Sequence, residues 1–553
     1  MKSDKGLWAL LAGWAAFAAA SIWLRPLWPV DETRYASVAW EMWLRGDFLV
    51  PHINGEPYSH KPPLLFWLIQ LGWGLFGVND WWPRLVAPLC ALAAMPLTLR
   101  LGRLLWPEER EAHANALWVL SGTLLFAGFV TLLMFDLLLM LCTLAGMIGI
   151  FTLARGRREG KDGARAVGLL WLGCGIGLGV LAKGPVILLH VLPAAVVAPW
   201  WMPAIRQQPG RGGFSSYYVD LLLGVLLGAA LALAWALPAA YFGGEAYRHA
   251  IFWGQTAGRV SESFAHRAAW WHYLPLLPLI LFPWFVWPRF WKGLNAARSE
   301  PKPEGMKFLA AWLILTLIGF SLVSGKQAKY LVPFLPGFAL LAGYALSRAG
   351  GVAQGGTALA RWWEMLPPVI GFLALPAFLL VLRARPEAMK LPEWAGEIPT
   401  WPVVVLALAA PVLLYFSGKP AAMQLRALAF AMLAAFAVAL VGVIPAFVPY
   451  SDPGPAARHL AALQEGKVPL AHLGKYHAQY NFAGRLRAPI VILDLAEVKG
   501  WVAAHPAGQV ITIERRRDEG KGGAAPEYQA PFKGAWVQVW RGAALLVARP
   551  ELR

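Results

Sequence analysis

Long apolar runs recur along the chain and are separated by short polar stretches rich in lysine and arginine. The runs cover about 7–24, 82–99, 114–130, 134–153, 167–182, 185–202, 217–240, 272–288, 308–323, 331–346, 364–382, 401–416 and 427–447. A helix that crosses a bilayer needs roughly 20 mostly apolar residues, so this pattern predicts about thirteen transmembrane helices. The intervening basic stretches are 100–113, 154–166, 203–216, 289–307, 347–361 and 417–426. Cytoplasmic loops collect Lys and Arg, so these stretches and the N-terminus fall on one side of the membrane, and an odd number of spans leaves the C-terminal part on the other.

One apolar run does not fit. Residues 64–78, "LLFWLIQLGWGLFGV", are too few to cross, and counting them as a span would turn the basic stretch 100–113 outward. Residues 25–81 are therefore expected to form a long external loop whose helices lie along the membrane surface. The stretch "TRYASVAWEMWLRG" agrees, since its polar and apolar positions alternate near helical period and Gly46 offers a stop. From about 450 the pattern shortens. "APIVILDL", "GQVITIERR" and "GAWVQVWRGAALLVARP" read as strands among helical stretches, which predicts a small α/β domain over 450–553 on the external side.

Composition supports the membrane class and narrows the function. The chain is 58% hydrophobic and 14% charged, against about a quarter charged in ordinary globular proteins. Its formal net charge of +18 fits basic cytoplasmic loops; no stacking or base-reading module accompanies it, so nucleic acid is not expected as a partner. Cys90, Cys142 and Cys174 lie in apolar runs without repeated spacing and are read as core residues. Lys2 and Lys5 precede the first run without a small-residue cleavage site, so that run is expected to stay as a span.

Ionisable residues at membrane depth are costly and point to function. Five places hold them on the external side. Asp31, Glu32 and Arg34 follow the first span; a helix cap would account for one carboxylate, not two and an arginine. Lys61 precedes the rigid Pro62–Pro63 pair in "HKPPLLFW", Asp136 interrupts "TLLMFDLLLM", Lys183 sits in "LAKGP", and Lys326, Lys329 and Tyr330 lie in "SGKQAKYLVPFLPG". Basic residues on that face call for an anionic partner such as a lipid phosphate. Carboxylates among several cations at headgroup level suit group transfer from a phosphate-bearing lipid, the cations neutralising a leaving phosphate.

The order of "WPVDETRYASVAWEM", "HKPPLLFWL", the membrane Asp136, "LAKGP" and "SGKQAKYLVPFLPG" resembles the bacterial aminoarabinose transferases, within the protein O-mannosyltransferase-like GT-C glycosyltransferases. The resemblance spans the membrane part and is weaker over the external domain. It implies a transmembrane glycosyltransferase domain over 1–449 of an inner-membrane enzyme with its site on the periplasmic side. That enzyme would take a sugar from undecaprenyl phosphate, place it on lipid A and give resistance to polymyxin. It also implies Asp31 as the catalytic carboxylate, Lys61 as the carrier-phosphate ligand with Arg34 nearby, and Asp136 as a second acidic position. Glu32 joins the catalytic candidates; Tyr35, Lys183, Lys326, Lys329, Tyr330 and Arg248 join the substrate-binding ones.

A lipid A phosphate is already ionised near neutral pH, so Asp31 would have little proton to remove and would instead stabilise positive charge at the reacting carbon or bind the sugar's amino group. A hydroxyl acceptor would restore a base. His60 and His266 are weak candidates for a structural zinc, since no tight ligand spacing is present; no catalytic cofactor is expected. The segment 241–272 is expected to be an external flap, and the enzyme a monomer in contact with membrane lipid. Alternatives are a related transferase with another sugar or a protein hydroxyl acceptor and, more distantly, a secondary transporter. Transporters place their charges near the midplane in paired halves, whereas here they gather at one face.

Overall fold

The computed structural model describes residues 4–206, 213–254, 267–299, 304–349, 362–384, 393–515, 517 and 524–552. Among them, nine helices are long and apolar enough to cross a membrane: Lys5–Leu24, Trp81–Leu105, Asp136–Glu159, Asp162–Lys183, Ser215–Phe242, Glu304–Leu322, Ala328–Ala349, Trp362–Ala384 and Ala421–Gly442. The other four apolar runs take shorter or broken forms, namely Arg110–Ser121 with Leu124–Phe129, Ile187–Val196 with Ala198–Trp201, Tyr273–Ile280, and Trp401–Ala407 with Ala409–Phe416.

In chain order the first elements are α1 (Lys5–Leu24), α2 (Asp31–Arg45), the hairpin β1 (His52–Ile53) with β2 (Glu56–Pro57), α3 (Leu64–Phe76), α4 (Trp81–Leu105), α5 (Arg110–Ser121), α6 (Leu124–Phe129), α7 (Asp136–Glu159) and α8 (Asp162–Lys183). α2 is amphipathic and stops at Gly46, whose φ of 64° closes the helix as the pattern predicts. α3 has 13 residues and rises only about 20 Å, short of a bilayer's hydrocarbon core of about 30 Å.

α7 and α8 form an antiparallel hairpin held at very close range. A Cβ on Gly149 would sit 2.4 Å from the backbone nitrogen of Leu172, and one on Gly175 would sit 2.5 Å from that of Gly146. Small residues permit such an approach, which substitutes for the hydrophobic drive that lipid removes. The consequence is positional: the first residue of α7, Asp136, and the last of α8, Lys183, lie at the same end. Cys90 and Cys142 are buried, but Cys174 is exposed on α8. The core assignment therefore fails for Cys174: an apolar run cannot show which side of its helix faces neighbouring helices.

Beyond Gly454 the chain forms a helix, Gly454–Glu465, and a mixed five-stranded sheet. The strands are β3 (Leu470–Leu473), β4 (Val491–Leu493), β5 (Gln509–Glu514), β6 (Tyr528–Phe532) and β7 (Ala535–Arg541), in the order β4-β3-β5-β7-β6. β3 pairs parallel with β4 and β5, while β7 pairs antiparallel with β5 and β6. The last predicted strand is only half right. It ends at Arg541, and "GAALLVA" continues as a helix, Gly542–Ala548; an apolar run of that length does not distinguish the two by period. Of the expected flap 241–272, residues 244–249 form a short helix, and 255–266 lie outside the described residues.

A buried ion pair joins these parts. Arg25, just after α1, bonds Glu32 in the first turn of α2 through both guanidinium nitrogens, at 2.6 and 3.2 Å. Glu32 also accepts from the backbone of Trp28 at 2.8 Å and of Leu133 at 2.6 Å, while Arg25 donates to Ser21 and to the carbonyl of Thr131. The loop that leads into α7 is thus tied to the start of α2. Glu32→Gln should leave Arg25 buried without its counter-charge and cost about 3–5 kcal/mol, seen as a clear fall in melting temperature in detergent. Arg25→Met/Glu32→Leu should recover part of that loss. An unchanged melting temperature with lost turnover would instead make Glu32 a catalytic group.

Candidate active site

Most of the predicted polar residues meet in one closed circuit. Asp31 is the first residue of α2, where the helix dipole favours a negative charge. Its carboxylate accepts from Arg34 and from Lys329 Nζ, the latter at 3.4 Å. The Arg34 guanidinium lies 5.6 Å from the Tyr35 ring, and that ring meets Phe135 edge-on at 4.8 Å. The next residue, Asp136, is 1% exposed and is ion-paired to Lys183. Lys183 Nζ stands 5.2 Å from the ring of Tyr330, whose neighbour Lys329 returns to Asp31. Lys61 Nζ lies 5.9 Å over the Phe135 ring and within electrostatic reach of Asp31.

The charges set one another. Burial by itself raises the proton affinity of Asp31, but Lys329, Arg34 and Lys61 outweigh it and hold the carboxyl below its usual range. Burial pushes the Tyr35 phenol well above its ordinary value, so it stays neutral. Arg34 Nε is buried and has no acceptor among the described residues, a donor that an incoming anion could satisfy. In sum, four cations (Arg34, Lys61, Lys183 and Lys329) surround two carboxylates (Asp31 and Asp136), an excess of two positive charges.

Other predicted residues stand apart. Glu32 points away into its pair with Arg25 and two backbone amides, which leaves it no room for substrate chemistry. Lys326 is buried, and its ammonium is spent on the carbonyls of Ala268 and Val323, at 3.0 and 2.6 Å. It ties the end of helix Glu304–Leu322 to Ala268 and does not join the circuit. Arg248 pairs at 3.2 Å with Glu245, both side chains exposed. His60 packs near the Tyr58 ring at 5.3 Å, and His266 lies outside the described residues. Among the described residues no group of three or more His, Cys, Asp or Glu side chains is placed to hold a metal.

Sequence reasoning missed Arg25 and Phe135. Arg25 carries the common signal of a basic residue at a helix end, which snorkelling usually explains. Phe135 is one apolar residue among many and has no sequence signal at all.

Comparison with known proteins places the chain in a family. Residues 60–242 match the family model of the dolichyl-phosphate-mannose-protein mannosyltransferases. The undecaprenyl phosphate-α-4-amino-4-deoxy-L-arabinose arabinosyl transferase of Pseudomonas aeruginosa is 31% identical over 432 residues, 74% of each chain. A second such transferase, from Pseudomonas fluorescens, is 28% identical over 92% of this chain and 88% of its own. Among solved structures, ArnT from Cupriavidus metallidurans bound to undecaprenyl phosphate superposes with a TM-score of 0.74 at 19% identity, covering 97% of this chain and 98% of that one. Its apo state gives 0.71 at 20% identity, covering 93% of each. This multi-pass membrane protein belongs to the undecaprenyl phosphate-α-4-amino-4-deoxy-L-arabinose arabinosyl transferases, within the GT-C glycosyltransferases.

Proposed function

We propose that the protein transfers 4-amino-4-deoxy-L-arabinose from undecaprenyl phosphate to a phosphate of lipid A, at the periplasmic face of the inner membrane, and thereby protects the cell against polymyxin. It works as a monomer without a cofactor. Its chain crosses the bilayer thirteen times, the four shorter or broken apolar helices completing the nine long ones, and carries a small α/β domain at the periplasmic end.

The excess of two positive charges in the circuit carries this function. The sugar-loaded carrier is a phosphodiester with one negative charge. When the bond from the anomeric carbon to the carrier oxygen breaks, the electron pair stays on that oxygen and leaves a monoester with a charge of about −1.5 to −2. A site two charges in excess therefore favours the departing phosphate over the bound substrate, which is the condition for lowering a barrier. Arg34 Nε supplies a donor with no acceptor of its own.

The state of Asp31 favours a phosphate acceptor. A carboxyl held below its ordinary range by three cations is a poor base, and an acceptor hydroxyl would need one. An ionised acceptor phosphate needs none: its oxygen bonds to the anomeric carbon as the carrier phosphate leaves, and no proton changes hands. Asp31 then stabilises the positive charge that develops at that carbon.

The deciding experiment is transfer from undecaprenyl-linked aminoarabinose to lipid A with the purified protein, read by mass spectrometry. Lys61→Ala should lower kcat about 10²- to 10³-fold, and Asp31→Asn should abolish product while undecaprenyl phosphate still binds; full activity in Asp31→Asn removes that residue from the mechanism. In the wild type the surrounding cations hold the Asp31 carboxyl below its usual range, so it contributes no acidic limb near neutral pH. Lys329→Met removes the strongest of its lowering partners, and burial then raises the carboxyl, so the acidic limb of the rate profile should move to higher pH. An unmoved limb would detach Asp31 from the rate. Expression in a strain lacking its own transferase should restore growth under polymyxin.

A further inference from the structure

The loop between β3 and β4 is pinned to the helix that carries Asp31 and Arg34. Ser37, one turn after Arg34, donates to the carbonyl of Ala478 at 2.8 Å and accepts from the amide of Phe482 at 3.1 Å. Trp40 Nε1 donates to the carbonyl of Leu486 at 2.9 Å, and Asn54 exchanges two hydrogen bonds with the backbone of Ile490, at 2.8 and 2.9 Å. Phe482 stacks on Trp73 of α3 with ring centroids 5.3 Å apart. Gly474 and Ala478, at φ of 74° and 54°, bend the loop so that it lies along α2.

This docking brings His477 beside the site. It is half-buried and lies within electrostatic reach of Arg34, Lys475 and Lys533 and of the carboxylate of Asp31. Lys533 comes from the β6–β7 turn, which is held by its own amide to the carbonyl of Tyr450 at 2.7 Å. Lys475 and Lys533 are exposed, and neither has an ion-pair partner among the described residues.

Glycosyl transfer between two phosphates sets an electrostatic problem. Both anions must approach one sugar carbon, and their mutual repulsion opposes this unless each has its own cations. The circuit around Asp31 serves one of them. We propose that Lys475, His477 and Lys533 form a second anion site for the phosphate group of the acceptor, so that the C-terminal part of the chain supplies half of the active site. This rests on the phosphate-acceptor function proposed above.

The test uses the full-length enzyme in lipid nanodiscs. For Lys475→Ala/Lys533→Ala, and for His477→Gln, the KM for lipid A should rise about tenfold or more, the loss expected when a charged hydrogen bond is removed, with the KM for the undecaprenyl-linked sugar unchanged. Equal rises in both constants, or no change in the acceptor constant, would overturn the proposal. A second measurement needs no turnover. With undecaprenyl phosphate present, inorganic phosphate should slow the modification of His477 by diethyl pyrocarbonate several-fold in the wild type but not in the double lysine variant, read by peptide mass spectrometry. Labelling indifferent to phosphate in the wild type would overturn the site. A wild type that is protected by phosphate yet gives no product with lipid A would instead refute the acceptor, not the site.

Discussion

The buried pair of Arg25 and Glu32 fixes the frame on which the site depends. It joins the end of the first membrane helix, the first turn of the amphipathic helix Asp31–Arg45 and the loop ahead of the third long membrane helix. Arg84 adds a fourth element by donating to the carbonyls of Ile22 and Arg25, at 2.7 and 2.5 Å. In a low-dielectric surrounding an unpaired charge is too costly to tolerate, so each of these groups has one place to be. Asp31 then inherits its position from Glu32, its neighbour in the chain.

Consecutive helical residues point about 100° apart, and the chain uses this at the start of α2. Glu32 turns inward to hold the frame, while Asp31 turns outward to meet Arg34 and Lys329. Lys326 and Lys329, three positions apart in the chain, also divide, one capping carbonyls and the other reaching a carboxylate. In each pair a charge bound by the chain itself and a charge of the candidate site lie close in sequence. What separates them is their partners: Glu32 accepts four hydrogen bonds from the chain and Lys326 donates to two carbonyls, while Arg34 Nε has no acceptor among the described residues.

The site is assembled from elements far apart in the chain. The close glycine contacts of the Asp136–Glu159 and Asp162–Lys183 helices bring Asp136 to Lys183, and Ser37 meets Ala478 across 441 residues. Steric fit and hydrogen bonds to the backbone act together with the buried Arg25–Glu32 pair in placing these charges. The long apolar helices thus act as a holder for a polar cluster, and the amphipathic helix Asp31–Arg45 is shared between that cluster and the loop between β3 and β4.

Hydrophobic period and length sufficed to find the nine long apolar helices, the amphipathic helix Asp31–Arg45 with its stop at Gly46, and the short helix Leu64–Phe76, because burial in lipid and backbone geometry act locally. The cost of charge in an apolar setting likewise singled out Asp31, Lys61, Asp136, Lys183 and Lys329, which the fold brings into one cluster. It could not tell Glu32 from Asp31, or Lys326 from Lys329, since both members of each pair carry the same charge and only their partners differ. His477 gave no signal, because a histidine in a polar loop is ordinary until the fold sets it beside Arg34. Composition and period determined which segments enter the membrane. Tertiary packing alone decided which charges are spent on holding the molecule together and which gather in the candidate site, because that depends on which partners the fold brings beside each one.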